Sequence, residues 1–218
     1  VEKKMTLPFN ARLSDVHTAS PAFSPLAGVT LDALSIYHGN CEIYGQGEAA
    51  GMLYVVEFGC VRIGRITSEG RRQVAGFCFA GDVFGWESDA EHEFFAEAVE
   101  VTGLRVLRPG RDADAPAMLL PLILKTLRRF QQHLLVLGGT SVDERFAAFL
   151  CQLAERQGGE TLVQLPMPRS DIGDYLGVSF ETVSRILRRL KESGILRTPD
   201  THSVEILDLP RLQEICRQ

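Results

Sequence analysis

The chain has 218 residues, 45% of them apolar and 23% charged, with 20 Gly and 10 Pro; this fits one large folded domain or two modest ones and excludes a disordered or collagenous chain. Residues 1–112 carry ten Lys/Arg against fifteen Asp/Glu while the remainder balances, so the net charge of −5 sits in the N-terminal half and a general polyanion binder is excluded. Lys125, Arg128 and Arg129 interrupt the longest apolar stretch, which therefore falls short of the ~18 residues of a membrane helix, and no secretory segment opens the chain.

Residues 1–25 mix Pro, Ser and Ala without periodicity and read as an N-terminal arm, headed by Val1-Glu2-Lys3-Lys4-Met5, an opening that suggests added residues or an unusual start. Across 26–112, short apolar runs at 53–56, 61–63 and 74–79 alternate with turns such as Thr67-Ser68-Glu69-Gly70 and Ala80-Gly81-Asp82. Strands at that spacing predict an antiparallel β-roll or sandwich. After Pro109-Gly110 the period changes, and 113–138 reads as one long helix. Leu120, Leu127 and Leu134 recur every seven residues, with Ile123, Phe130 and Leu137 three positions further on. Such a seam buries itself either against an identical helix, making a homodimer, or on its own β domain; the heptad phase favours the homodimer. Pro121 marks either the start of this helix or a bend in it.

The last part, 139–218, starts after Gly138-Gly139 with Ser141 and Glu144 in capping-box spacing. Phe146, Leu150 and Leu153 give the helix that follows one buried side, Gln157-Gly158-Gly159 ends it, and 162–165 reads as a short strand. A short helix over 169–176 then meets Gly177, where the chain can turn sharply, and Ser179 is placed to cap a second helix. This is a helix-turn-helix. Val183, Ile186, Leu187 and Leu190 form the buried stripe of the second helix, leaving Glu181, Ser184, Arg185 and Arg188 on another face. Arg185 can fork onto guanine O6/N7 and Glu181 can accept from cytosine N4–H, so Glu181, Ser184 and Arg185 are the expected base readers on double-stranded DNA. Arg169, Ser179, Thr182 and Arg188 lie where phosphates are held. The competing reading is an ordinary surface ion pair between Glu181 and Arg185. Segments at 193–196 and 203–207 read as the strands of a wing, and Asp208 caps a last helix with Pro210 in its first turn.

The Gly-punctuated roll, the long helix, and Asp171-Ile172-Gly173-Asp174-Tyr175-Leu176-Gly177 followed by Glu181-Thr182-Val183-Ser184-Arg185 together resemble the CRP/FNR superfamily of bacterial transcription regulators. The Glu-x-x-Ser-Arg form is similar to the FNR and FixK branch, and Phe180 stands where the CRP branch has an arginine. The resemblance implies an α+β fold: a cyclic-nucleotide-binding-like β-roll, a dimerisation helix and a winged helix-turn-helix. It further implies a TTGAT-N4-ATCAA-like palindrome, RNA polymerase as a partner, and control of low-oxygen or nitrogen-oxide metabolism, usually by activation.

The resemblance also frames what is missing. Where the CRP branch holds cyclic AMP with Gly-Glu and Arg-Ser pairs, this chain has Trp86 after Gly85 and Phe94-Phe95. No Lys or Arg occurs from Gln73 to Leu104, whereas Asp82, Glu87, Asp89, Glu91, Glu93, Glu97 and Glu100 do, so a cyclic phosphate would meet repulsion. Residues 1–40 contain no cysteine, which disfavours an FNR-type iron–sulfur cluster. The cysteines at 41, 60, 78, 151 and 216 lack disulfide-framework or zinc spacing, predicting reduced thiols and a cytoplasmic protein. Cys41, Cys60 and Cys78 read as small buried residues, and Cys216, near the end, as the first to test for redox sensitivity. The histidines at 17, 38, 92, 133 and 202 have no metal-site spacing, yet a single haem-ligating histidine stays open, with ligand-gated DNA binding as the rival reading. No nucleophile, base or phosphate loop has supporting context, so no enzyme activity and no cofactor are expected.

Overall fold

In the computed structural model, residues 32–107, 115–138 and 141–216 are described; the expected arm, the turn at Pro109-Gly110 and Gly139 lie outside them. Strands β1 (Ser35–Tyr37), β2 (Glu42–Tyr44), β3 (Leu53–Phe58), β4 (Cys60–Ile66), β5 (Arg72–Phe79), β6 (Val83–Phe84), β7 (Phe95–Ala98) and β8 (Thr102–Leu107) build the first unit. They form two antiparallel four-stranded sheets, ordered β1-β8-β3-β6 and β2-β7-β4-β5. Alternation along each strand decides what goes where. Tyr54, Val56, Val61, Phe84 and Leu104 fill the space between the sheets. Leu53, Val55 and Leu107 face outward from the first sheet. Gly59, the single residue linking β3 to β4, has φ +87°, and a Cβ there would stand 2.6 Å from the Val101 carbonyl oxygen, so only glycine makes this turn.

The long helix, α1 (Ala115–Leu137), begins well before Pro121, which therefore sits inside it and marks neither its start nor its first turn. Leu122 plugs into the outward face of the first sheet, and Val136 joins the core of the C-terminal unit. The seam residues point elsewhere: Leu120, Ile123, Leu127, Phe130, Leu134 and Leu137 are 36–67% exposed. The stripe therefore does not pack down on its own β domain.

The C-terminal unit comprises α2 (Val142–Arg156), β9 (Leu162–Gln164), α3 (Arg169–Leu176), α4 (Phe180–Glu192), β10 (Leu196–Arg197), β11 (Ser203–Ile206) and α5 (Leu209–Ile215). The Ser141 hydroxyl caps α2 by accepting from the Glu144 amide, and Asp208 caps α5. β9 stops one residue short of the expected strand. Phe146, Leu150, Ile172, Leu176 and Leu212 form the centre of this unit, and Cys60, Val74 and Phe77 from the outward face of the second sheet complete the same cluster. One sheet of the sandwich thus carries α1 and the other carries the C-terminal unit.

Two buried carboxylates fix these contacts. Asp171 of α3 receives Arg62 Nη1 at 2.8 Å and also pairs with Arg72, while Arg62 Nε binds Glu97 at 2.6 Å and Arg72 binds Asp174 at 2.9 Å. Asp82, after β5, pairs with Arg129 of α1 and Arg156 of α2 and has Lys125 at 3.9 Å. The Arg156 guanidinium also lies 4.5 Å above the Phe79 ring. Asp82 consequently presents no free negative charge, and its place among the repelling acids of the roll is corrected.

Candidate nucleic-acid interface

The α3–turn–α4 hairpin follows from local chemistry. Gly177 takes the left-handed conformation, φ 68°, that ends α3. Two residues on, the Ser179 hydroxyl accepts from the Thr182 amide at 3.3 Å and starts α4. Gly173 keeps the helices close: a Cβ there would lie 2.7 Å from the Val178 carbonyl oxygen. Val183, Ile186, Leu187 and Leu190 are buried, as their spacing predicted.

The opposite face gathers the expected readers. Glu181 and Arg185 are exposed, Ser184 and Thr182 half-buried. Arg169, from the first residue of α3, donates to Ser184 Oγ at 3.3 Å, joining the two helices across the surface. Arg185 donates to Thr182 Oγ1 at 3.1 Å, and the Thr182 and Ser179 hydroxyls are 3.2 Å apart. Among the described residues Arg185 donates its hydrogen bond to Thr182 and forms no ion pair with Glu181 within 4 Å. Hydrogen bonding from the Ser179 hydroxyl and from its own amide holds the Glu181 carboxyl below the usual carboxylate range, with Arg185 adding a smaller effect in the same direction. The face thus offers an ionised acceptor, hydroxyls and guanidinium donors within two helical turns, the groups that discriminate base edges in a major groove.

Three further arginines of this region are already paired. Arg189 turns away to Asp143 of α2, and Arg197 pairs with Glu205 across the wing at 2.6 Å. Arg188, expected at a phosphate, pairs with Glu192 at 2.8 Å, with both side chains largely in solvent. A pair this exposed is screened by solvent and opens readily for a phosphate.

Other expected sites fall as follows. Phe95 is buried, its ring against Gly64, and Phe94 is half-buried; Trp86 packs against the cluster of Leu53, Val55, Val83, Leu107 and Leu122 and donates Nε1–H to the Val83 carbonyl at 3.1 Å. Cys60 is fully buried, but Cys41 is exposed, contrary to expectation, because it lies just outside β2. Cys78 is half-buried, and burial pushes its thiol up to about 12. Cys216 is also half-buried, with its sulfur 3.8 Å from that of Cys151. Sequence reasoning missed the partners of Asp171, although an acid in the buried phase of a short helix signals that a cation must meet it.

Comparisons with known proteins agree with this geometry. A Crp-like helix-turn-helix domain matches residues 144–215, and a cyclic nucleotide-binding domain matches 35–112. The nitrogen fixation regulation protein FixK of Rhizobium meliloti (strain 1021) is 42% identical over 202 residues, 93% of this chain and 94% of that one. The fumarate and nitrate reduction regulatory protein of Shigella dysenteriae is 32% identical over 168 residues, 71% of this chain and 67% of that one. The solved structure of FixK2 from Bradyrhizobium japonicum superposes with a TM-score of 0.78 at 36% identity, covering 86% of this chain and 98% of that one.

Proposed function

Because the chain belongs to the CRP/FNR family of transcription regulators and is of FixK type, we propose that it acts as a homodimeric activator reading a TTGAT-N4-ATCAA-like palindrome. The observation that carries this reading is the row Glu181, Ser184 and Arg185 on the side of α4 opposite its buried stripe, with Glu181 and Arg185 exposed and Ser184 half-buried. Two copies joined along Leu120, Ile123, Leu127, Phe130, Leu134 and Leu137 place two such rows about one helical turn, roughly 34 Å, apart on DNA. Relatives named for nitrogen fixation regulation and for fumarate and nitrate reduction support targets in nitrogen fixation and low-oxygen metabolism. RNA polymerase is the expected partner and the cytoplasm the expected location; among the described residues no helix is long and apolar enough to cross a membrane.

Constitutive binding, without cyclic nucleotide, cluster or haem, is part of the proposal. Trp86 and the buried Phe95 favour it, since neither supplies the cation a cyclic phosphate needs. The test is fluorescence anisotropy with purified apo protein and a labelled TTGAT-N4-ATCAA duplex beside a scrambled one. Preference for the palindrome by ~1,000-fold is expected. Equal affinity for both duplexes, or preference that emerges only with added haem or cyclic AMP, overturns it.

A further inference from the structure

We infer that Cys151 and Cys216 are a modification site: a dithiol that a peroxide converts to a reversible disulfide within one protomer, tying α2 to the end of α5. Their sulfurs are 3.8 Å apart, van der Waals contact, although the residues are 65 positions apart in the chain. Both side chains are half-buried, so a small oxidant reaches them. Cys216 caps the final turn of α5, where the Sγ donates to the Leu212 carbonyl at 3.3 Å. The sulfurs have to close from 3.8 Å to about 2.05 Å, and Cys216 stands at the end of the last turn, where the chain yields most readily.

The other cysteines do not compete. Cys60 sits opposite Phe79 and Cys78 opposite Val61 in the β4–β5 ladder. Directly opposed residues share a face and successive residues alternate, so the Cys60 and Cys78 thiols lie on opposite sides of the sheet. Cys60 accordingly packs with the C-terminal unit and Cys78 with the interior of the sandwich. Cys41 is exposed on the rim.

In the reaction the Cys216 sulfur attacks the O–O bond of hydrogen peroxide, giving a sulfenic acid and one water. The Cys151 sulfur then attacks that sulfenic sulfur; the S–S bond forms, and hydroxide leaves as a second water with the remaining thiol proton. Two thiols lose two electrons and two protons, and one peroxide becomes two waters. Contact with Cys216 and burial hold Cys151 in its thiol form, so it must give up its proton before it attacks, and closure is slow, a response to sustained oxidant. The bond touches none of Arg169, Glu181, Ser184 and Arg185, so it braces the unit and leaves the reading face in place.

The full-length protein, reduced and then treated with hydrogen peroxide, is alkylated, digested and mapped by mass spectrometry. A linked peptide containing Cys151 and Cys216, lighter by two hydrogen atoms and cleaved by dithiothreitol, is expected. It disappears in both C151S and C216S and persists in C41S. The oxidised protein binds its duplex within about twofold of the reduced form, and its unfolding midpoint rises by at least ~5 °C. Recovery of Cys151 and Cys216 as separate alkylated or sulfinic peptides while Cys41 is oxidised overturns the assignment. So does a linked product found only between protomers.

Discussion

Arg62 of the β sandwich and Asp171 of the helix-turn-helix meet at 2.8 Å with side chains only 9% and 1% exposed. A charge pair this deep is stable only while both partners are present, because either one alone keeps its desolvation cost without its counter-charge. D171A leaves Arg62 with Glu97 and Arg72 with Asp174 but removes the buried carboxylate that both share. The unfolding free energy should fall by about 1–3 kcal/mol in a urea titration; no measurable loss is inconsistent with the buried pair.

His133 of α1 stacks on Tyr175 of α3, ring centroids 3.9 Å apart, and its Nδ1 is buried without a hydrogen-bond partner among the described residues. Burial lowers its pKa from the ordinary 6.5, and Arg129 and Arg156 line the same cleft. The folded value lies below the unfolded one, so the unfolded chain binds more protons as the pH falls. The contribution of this contact is complete above pH 6.5 and is lost as the pH drops toward the depressed folded pKa. Thermal unfolding between about pH 7 and pH 5 should therefore show a decline in midpoint that H133F flattens. Parallel pH profiles for the two proteins contradict this.

Arg185 and Arg169 occupy the same surface but should fail differently. R185A is expected to cost about 1–3 kcal/mol on the cognate duplex and to relax preference at one base pair. R169A should weaken every sequence alike and lower the salt dependence by roughly one counterion. Anisotropy titrations on cognate and single-substituted duplexes at two salt concentrations separate these outcomes. A uniform loss for R185A rejects its role as a reader.

The exposed seam of α1 makes association testable without DNA. Leu127 and Phe130 are each 50% exposed in the single chain. Replacing both with Glu should give a monomer in sedimentation velocity and lower palindrome affinity by ~100-fold or more, since the second half-site is no longer tethered. An undisturbed dimer refutes the seam.

What could be read in the sequence was whatever neighbours along the chain decide. The helix at 169–176, the turn at Gly177, the Ser179 cap and the buried stripe of α4 all depend on spacings of a few residues, and the structure reproduces them. Pairings across the fold were illegible. Nothing near Asp171 announces Arg62 and Arg72, which lie 109 and 99 positions away, and nothing near Arg189 announces Asp143. The seam of α1 shows a subtler limit. Its inner face mixes Leu122 and Val136 with Arg129 and His133, whereas the exposed seam is aliphatic and aromatic and is flanked by the likewise exposed Lys125, Arg128 and Gln131. Apolar residues thus lie on both sides, and spacing alone could not tell which of them the chain itself would cover.

The clasp at Asp171 also bears on inheritance. Regulators built from a roll and a reading head look like interchangeable modules, yet this head carries an anion whose counter-ions are encoded about a hundred codons upstream. Grafting residues 141–216 onto a roll without cations at the positions of Arg62 and Arg72 produces a hybrid with a stranded charge at its joint. A graft of this head is therefore expected to hold firmly only on a roll that supplies both arginines.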